Sequence, residues 1–199
     1  MSLQQPDLGV LRKAQRGDER AFTLIVRTYE QPVYNYVLRL VGDRTLAEDL
    51  TQEVFLRVFQ GLPKFSLRCR FTTWLFQVTK NRVLDELRAN ERRPRLTVML
   101  DDVPHLEVLD APVEQVEAMD AVWRAVESLT VDLKMALLLR DVVGLSYTEI
   151  ADSLEITLAT VKWRIYKARE EVQDSLAREG ITFGEEEEAA APVEVPAAT

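Results

Sequence analysis

LSYTEIADSLEITLATVKWRIYKAR, residues 145–169, holds two short helical patterns around a tight turn. Ser146 and Glu149 stand at capping-box spacing, where each side chain satisfies the other's free backbone donor at a helix start. Ile150, Ala151 and Leu154 give that first helix one apolar side, and a four-residue turn runs from Leu154 to Thr157. Thr157 can cap a second helix, whose apolar residues Val161, Ile165, Ala168 and Val172 fall on one face. The remaining faces carry hydroxyl, aromatic and cationic groups: Thr160, Lys162, Trp163, Arg164, Tyr166, Lys167 and Arg169. Two helices joined by a tight turn, the second basic and aromatic on its free side, describe a helix-turn-helix that reads the major groove. Taken alone, the stretch also fits a helical hairpin with a solvated charged face.

Working outward, 199 residues with 47 % apolar content can hold one large or two small domains with real cores. Only 7 Gly and 8 Pro interrupt the chain, so long helices are favoured over many-turned β structure and an all-α fold is expected. No apolar run is long enough to span a bilayer, and MSLQQPDLGV lacks the character of a signal peptide, so the expected address is the cytoplasm, without membrane insertion. One cysteine, Cys69, and one histidine, His105, supply neither an internal disulfide nor the usual zinc site, and no cofactor is expected. The net charge of −8 argues at first against a nucleic-acid partner. Its distribution reverses that impression. Leu96 to Asp120 holds seven acids and Glu185 to Thr199 five, neither stretch has a base, and the rest of the chain is left at +4. Lys64 to Arg95 carries nine bases against three acids. Basic modules joined by an acidic connector suit a protein that meets nucleic acid through local surfaces.

In chain order, residues 1–17 are a lead-in with a short helix, LGVLRKAQ, closed by Gly17. A first helical module follows over 18–93. Its opening pattern, Phe22, Ile25, Tyr29, Val33, Tyr36, Val37 and Leu40, is interrupted by Pro32, which predicts a kink or break near Gln31. Thr45 and Glu48 form another candidate capping box, and the helix after it ends at Gly61. Its apolar face is Leu46, Leu50, Val54 and Val58; Asp49, Gln52, Glu53 and Arg57 form a polar stripe bordered by Phe55 and Phe59. Glu48, Asp49 and Glu53 lack the second acid-and-histidine set of a di-metal site, so the stripe reads as a solvated or docking face. LPKFSLRCRF (62–71) is a basic loop between two phenylalanines, leading into a helix capped by Thr72 or Thr73 and stopped at Pro94. There Trp74, Leu75, Val78, Leu84 and Leu87 supply burial, with Lys80, Arg82 and Arg88 outside. An aromatic-flanked cationic loop before a basic helix offers stacking for unpaired bases and neutralisation for phosphates, as single-stranded DNA requires; taken alone, the segment fits still better aromatics in the core with arginines in solvent. Residues 94–114, with Pro94, Pro104 and Pro112, read as an acidic flexible linker; 115–178 form a second helical module; 179–199 are an acidic tail expected to be disordered.

With both modules laid out, the chain resembles the bacterial RNA polymerase sigma factors of the extracytoplasmic-function type, within the sigma-70 family. AEDLTQEVFLRVF (47–59), KFSLRCRFTTWLFQVTKNRVLDELR (64–88), ESLTVDLKMALLLRDVVGLSYTEIA (127–151) and TVKWRIYKAR (160–169) carry the resemblance, in the family's order. It implies two helical domains, regions 2 and 4, with a linker in place of region 3. The first stretch is similar to region 2.2, which docks on the clamp helices of the polymerase's largest subunit, and assigns Asp49, Gln52, Glu53 and Phe59 that role. The second resembles regions 2.3 and 2.4, which melt the minus-10 element and trap a flipped non-template base. It assigns Phe65, Arg68, Arg70, Phe71 and Trp74 to the loop and its flank, Asn81 and Asp85 to polar positions, and Lys80, Arg82 and Arg88 to phosphates. Flipping costs a few kcal/mol of stacking that a pocket must return. The loop SLRCR departs from the small residues common in relatives, and its Cys69 reads as an incidental thiol rather than a redox handle. The last two stretches resemble region 4, which binds the minus-35 element as duplex, with Thr160, Lys162, Trp163, Arg164 and Lys167 in contact. Trp163 stands where relatives often carry serine and would either favour apolar contact with a thymine methyl over hydrogen bonding or simply pack on the backbone; Glu155 replaces a common glycine in the turn.

The resulting expectation is a transcription initiation factor, not an enzyme, that opens promoters through binding energy alone. An anti-sigma factor is implied as a partner, and the linker acids Asp101, Asp102 and Glu107 are expected to follow the polymerase's channels. The rival is a stand-alone helix-turn-helix regulator that binds an operator without polymerase, using residues 1–95 for dimerisation or sensing. Such a regulator has no use for the polar stripe at 47–59.

Overall fold

A computed structural model describes residues 3–91 and 113–181. The linker acids Asp101, Asp102 and Glu107, His105 and the Glu-rich tail lie outside the described residues. Among the described residues there are eight α-helices and no strand, as the low Gly and Pro content leads one to expect. α1 (Leu8–Gln15) starts where the Asp7 carboxylate accepts from the Gly9 and Val10 N–H groups. α2 (Glu19–Val41) is capped by Asp18 and closes at Gly42, whose φ of 72° is the left-handed geometry that glycine adopts without a Cβ clash.

The break expected at Pro32 does not occur: α2 runs through it as one helix. Proline removes a single backbone bond there, while Tyr29, Val33, Tyr36 and Val37, all fully buried, hold both halves against the same core. α3 (Arg44–Gly61) begins two residues earlier than the Thr45–Glu48 box implies. Asp43 caps it instead, accepting from the Leu46 N–H at 2.8 Å. A 3-10 turn, Leu62–Lys64, and a loop lead to α4 (Phe71–Glu91). Thr72 and Thr73, the expected caps, are buried within the first turn of α4.

The second module comprises α5 (Val113–Ser128), α6 (Val131–Asp141), α7 (Tyr147–Leu154) and α8 (Leu158–Arg178). The capping box forms as read: the Ser146 hydroxyl accepts from the Glu149 N–H, and the Glu149 carboxylate accepts from the Ser146 N–H at 2.9 Å. Thr157 caps α8 through the Thr160 N–H at 3.1 Å. Val161, Ile165 and Ala168 are buried on one face, against α6 and α7.

The two modules share one continuous core, with α4 packed on α7 and α2 on α6. Ser153 donates to the Thr73 carbonyl at 3.1 Å, Arg70 meets Glu149 at 2.8 Å, and the Arg39 guanidinium lies 3.6 Å from the centre of the Trp123 ring. Glu155, at φ 59°, is the one non-glycine residue with positive φ among the described residues, and its carboxylate meets the Lys80 ammonium at 2.6 Å. A β-carbon in that region costs about 1 kcal/mol. The contact across the modules offsets it.

That pair makes the inter-module contact pH-sensitive. The Lys80 hydrogen bond and charge hold the Glu155 carboxyl below the usual range. A depressed folded-state pKa means stability that is complete above the unfolded-state value and lost as pH falls through the folded-state one. The difference in urea midpoint between wild type and Glu155→Gln is therefore expected to be complete at pH 7, to begin to shrink as pH falls past the ordinary glutamate value of about 4.3, and to vanish only below the depressed folded-state one. A pH-independent difference would assign the effect to the turn backbone instead.

Candidate functional site

Three exposed surfaces carry the residues singled out from the sequence. On α3, periodicity turns Ala47, Leu50, Val54 and Val58 inward, which leaves Asp49, Gln52, Leu56 and Phe59 outward. Leu56 is 60 % exposed and Phe59 43 %, and three residues apart on one helix face they make a contiguous apolar patch rather than scattered exposure. They border an open groove of about 680 Å³ between α2 and α3, floored by Phe22, Val26, Tyr34 and Phe55, with Glu30, Glu48 and Gln52 also lining it. Phe59 is held edge-on to Phe22, ring centres 4.9 Å apart. Leu56 was not among the expected docking residues. Its signal is present in the sequence: a leucine four residues after Gln52 and three before Phe59, off the apolar face.

Glu53 behaves differently from its neighbours on the stripe. Its carboxylate accepts from Arg82 on α4, and Arg82 also reaches Glu86 at 2.7 Å. The Arg82 bond and charge hold the Glu53 carboxyl low, and both carboxylates push Arg82 up. The expectation that Lys80 and Arg82 lie outside is corrected: their side chains are only 8 % and 11 % exposed, Lys80 closed by Glu155 in the turn after α7 and Arg82 by Glu53 of α3. Asp85 pairs with Arg57 of α3 at 3.6 Å, whereas Asn81 and Arg88 are exposed.

The second surface is the loop Ser66–Arg70, exposed at every residue and bearing Arg68, Cys69 and Arg70. The aromatics around it are not exposed stacking platforms. Phe65 and Phe71 are buried, Trp74 is half-buried, and the three form a cluster with ring centres 4.8 to 6.0 Å apart. Trp74 also fills the space beside Gly61, where a β-carbon would sit 3.0 Å from the indole. The core thus fixes the loop's two ends and presents its middle. Partial burial and the Asp152 charge push the Cys69 thiol up, the opposite of what a reactive thiolate requires.

The third surface is the solvent side of α8. Trp163 is 59 % exposed and Tyr166 63 %, with Lys162 exposed beside them. Residues three apart on a helix are neighbours, so the two rings form one amphipathic patch. Tyr166, absent from the expected contact set, belongs to this face. Arg164 is tied to Asp132 of α6 and Lys167 to Glu170, while the Thr160 hydroxyl is spent in the cap with Thr157. Lys162 is the cation of that set for which no ion pair forms among the described residues.

Comparison with known proteins gives these surfaces a family. The model of sigma-70 region 2 matches residues 25–93, and that of sigma-70 region 4 matches residues 119–172. The chain is 33 % identical over 188 residues to the ECF RNA polymerase sigma-E factor of Escherichia coli K12, covering 88 % of this chain and 97 % of that protein. It is 32 % identical over 187 residues to the RNA polymerase sigma-H factor of Pseudomonas aeruginosa, covering 88 % and 96 %. Among solved structures, the fold is similar to CnrH in complex with the cytosolic domain of CnrY, with TM-score 0.66, 21 % identity and coverage of 85 % and 96 %. It is also similar to the sigma factor RpoE in complex with the anti-sigma factor NepR from Bartonella quintana, with TM-score 0.62, 19 % identity and coverage of 78 % and 96 %. Among the described residues no helix is long and apolar enough to cross a membrane. With both regions in order, and relatives above 30 % identity along nearly its whole length, the chain belongs to the sigma-70 family as an RNA polymerase sigma factor of the extracytoplasmic-function type, a factor of transcription initiation.

Proposed function

We propose that this sigma factor docks on the clamp helices of the largest polymerase subunit through Asp49, Gln52, Leu56 and Phe59, with Glu53 positioned behind them by Arg82. In the resulting holoenzyme, α8 reads the minus-35 element as duplex DNA, and the loop 66–70 with α4 opens and reads the minus-10 element as single strand. Strand opening draws on binding energy and hydrolyses no nucleotide. The observation that carries the reading is the exposed Gln52–Leu56–Phe59 face of α3, since a stand-alone operator-binding regulator has no use for it. Run-off transcription with purified core polymerase on a library of duplexes randomised over the promoter region tests it. Specific starts are expected, and absence of both core association and transcripts would sink it.

On the minus-35 side, Lys162 supplies a phosphate contact, Trp163 and Tyr166 an apolar one, and Thr160, Arg164 and Lys167 the surrounding polar groups. Lys162→Ala is expected to weaken binding of all duplexes alike and to flatten the salt dependence by about one charge. Trp163→Ser is expected to change which bases are selected, by about 1 kcal/mol at a single position. Electrophoretic titrations at several salt concentrations separate the two; parallel behaviour of both variants would remove Trp163 from the readout.

Lys80, Arg82 and Asp85 reach the minus-10 strand only by exchanging their protein partners Glu155, Glu53 and Arg57 for DNA. For Lys80 this requires α7 to move off α4. Arg70 likewise gives up Glu149, 2.8 Å away, whereas Asn81, Arg88 and Arg68 are exposed and need no such exchange. An anti-sigma factor is the further partner, covering the α2–α3 groove and so competing with polymerase; family membership supports it, and the solved relative bound to NepR has such a partner.

A further inference from the structure

The exposed loop Ser66–Arg70 is tied at both ends by glutamines from the first fifteen residues of the chain. At its start, the Gln15 amide donates to the Leu62 carbonyl at 3.2 Å and to the Phe65 carbonyl at 2.9 Å. At its end, the Gln5 side-chain carbonyl accepts from the Phe71 N–H at 2.8 Å, and its amide donates to the Thr72 hydroxyl. Position 70, just before α4, is arginine, which cannot accept from the first free N–H groups of a helix. The cap is delivered from 66 residues away.

The segment that supplies these amides is itself held. The Tyr29 hydroxyl donates to the Gln4 carbonyl, and its ring packs on Phe71 at 5.4 Å. Burial pushes Tyr29 up to about 12, so the phenol keeps its donor proton well into the alkaline range. α1 is capped by Asp7 and buries Leu11 and Ala14 against the first module. The lead-in is thus a rigid strap across the base of the loop.

We infer that residues 4–15 are a clamp on the minus-10 loop, and that Gln5 and Gln15 are positioning residues for recognition of the unpaired minus-10 strand. The inference rests on the reading of function given above. A pocket for an extruded base must return a few kcal/mol of lost stacking, and it does so only if its walls are held before the base arrives. With five consecutive exposed residues, the loop takes its geometry from its two anchored ends and from the Arg70–Glu149 pair at 2.8 Å.

The two glutamines work with opposite polarity, and that makes the test specific. Gln5 caps as an acceptor, so Gln5→Glu keeps the bond to the Phe71 N–H, accepts from the Thr72 hydroxyl, and places negative charge at a helix N-terminus. Gln15 works as a donor to two carbonyls, so Gln15→Glu sets a carboxylate against both. The readout is permanganate reactivity of unpaired thymines in holoenzyme complexes on a template selected from the randomised library. Core affinity and binding of the minus-35 duplex are measured beside it. Gln5→Ala and Gln15→Ala are expected to lower opening about five- to tenfold and to relax the preferred minus-10 base, with core and duplex affinities within about twofold of wild type. Gln5→Glu should restore opening; Gln15→Glu should fall at least as far as Gln15→Ala. Equal opening by all variants, or loss of core affinity in parallel with opening, overturns the clamp alone. A wild-type factor that starts no transcript overturns the reading of function and the clamp with it.

Discussion

Phe71→Ala is expected to lower stability by about 3–5 kcal/mol, a loss that unfolds many domains of this size. Phe71 is 1 % exposed and sits among Tyr29, Phe65 and Trp74, so truncation removes a whole ring from a packed aromatic cluster. Three aromatic contacts, each worth about 0.5–1.5 kcal/mol beyond area burial, disappear together. Phe59→Ala offers the contrast. That ring is 43 % exposed and touches Phe22 by one edge, so its loss is expected to cost under about 1 kcal/mol. Urea titration followed by far-ultraviolet circular dichroism checks both. Similar small losses for the two variants would mean that Phe71 is a surface residue in solution, as a stacking platform has to be.

The contrast marks where sequence stops being informative. Features set within one turn of helix were legible: the Ser146–Glu149 box, the Thr157 cap, the inward face of α8 and the apolar face of α3 all stand as read. Each depends on residues three or four apart, the range over which helix geometry itself places side chains. Choices between adjacent candidates were less legible. Asp43 and Thr45 are both good cap residues, and the turn at Gly42 favours the earlier one. The fate of the charges was not legible. Lys80 and Arg82 look solvated in a helical wheel, yet Glu155 and Glu53, which draw them in, stand 75 and 29 positions away. Gln5 and Gln15 carry no local pattern, because a cap donated across 66 residues obeys no spacing rule. The phenylalanines flanking SLRCR were ambiguous for the same reason: loop and core both use aromatics, and only packing tells which way a ring faces.

The paired substitution Leu56→Asp with Phe59→Ala is expected to abolish holoenzyme formation while leaving the fold intact. Leu56 is the most exposed large apolar residue of the first module and Phe59 lies one turn along the same face. Residues that anchor an apolar interface cost about 2 kcal/mol each on truncation, and 2 kcal/mol is roughly a thirtyfold loss of affinity. A carboxylate at position 56 adds the desolvation of an unpaired charge against the partner. Together the changes predict a loss of several hundredfold or more in association with core polymerase. Stability is expected to change by less than about 1 kcal/mol, because neither side chain belongs to the core. Binding of a minus-35 duplex by α8 is expected to survive, since that surface lies on the other module. The polar neighbours separate two ways in which the face can work. If Gln52→Ala costs as much as Leu56→Asp, hydrogen bonding dominates the dock; if it costs a few tenths of a kcal/mol, the apolar pair dominates and Gln52 belongs to the rim. Fluorescence titration of labelled factor with core polymerase measures each variant. Unchanged affinity in the double variant would move the docking surface off α3, and with it the strongest distinction from a stand-alone regulator.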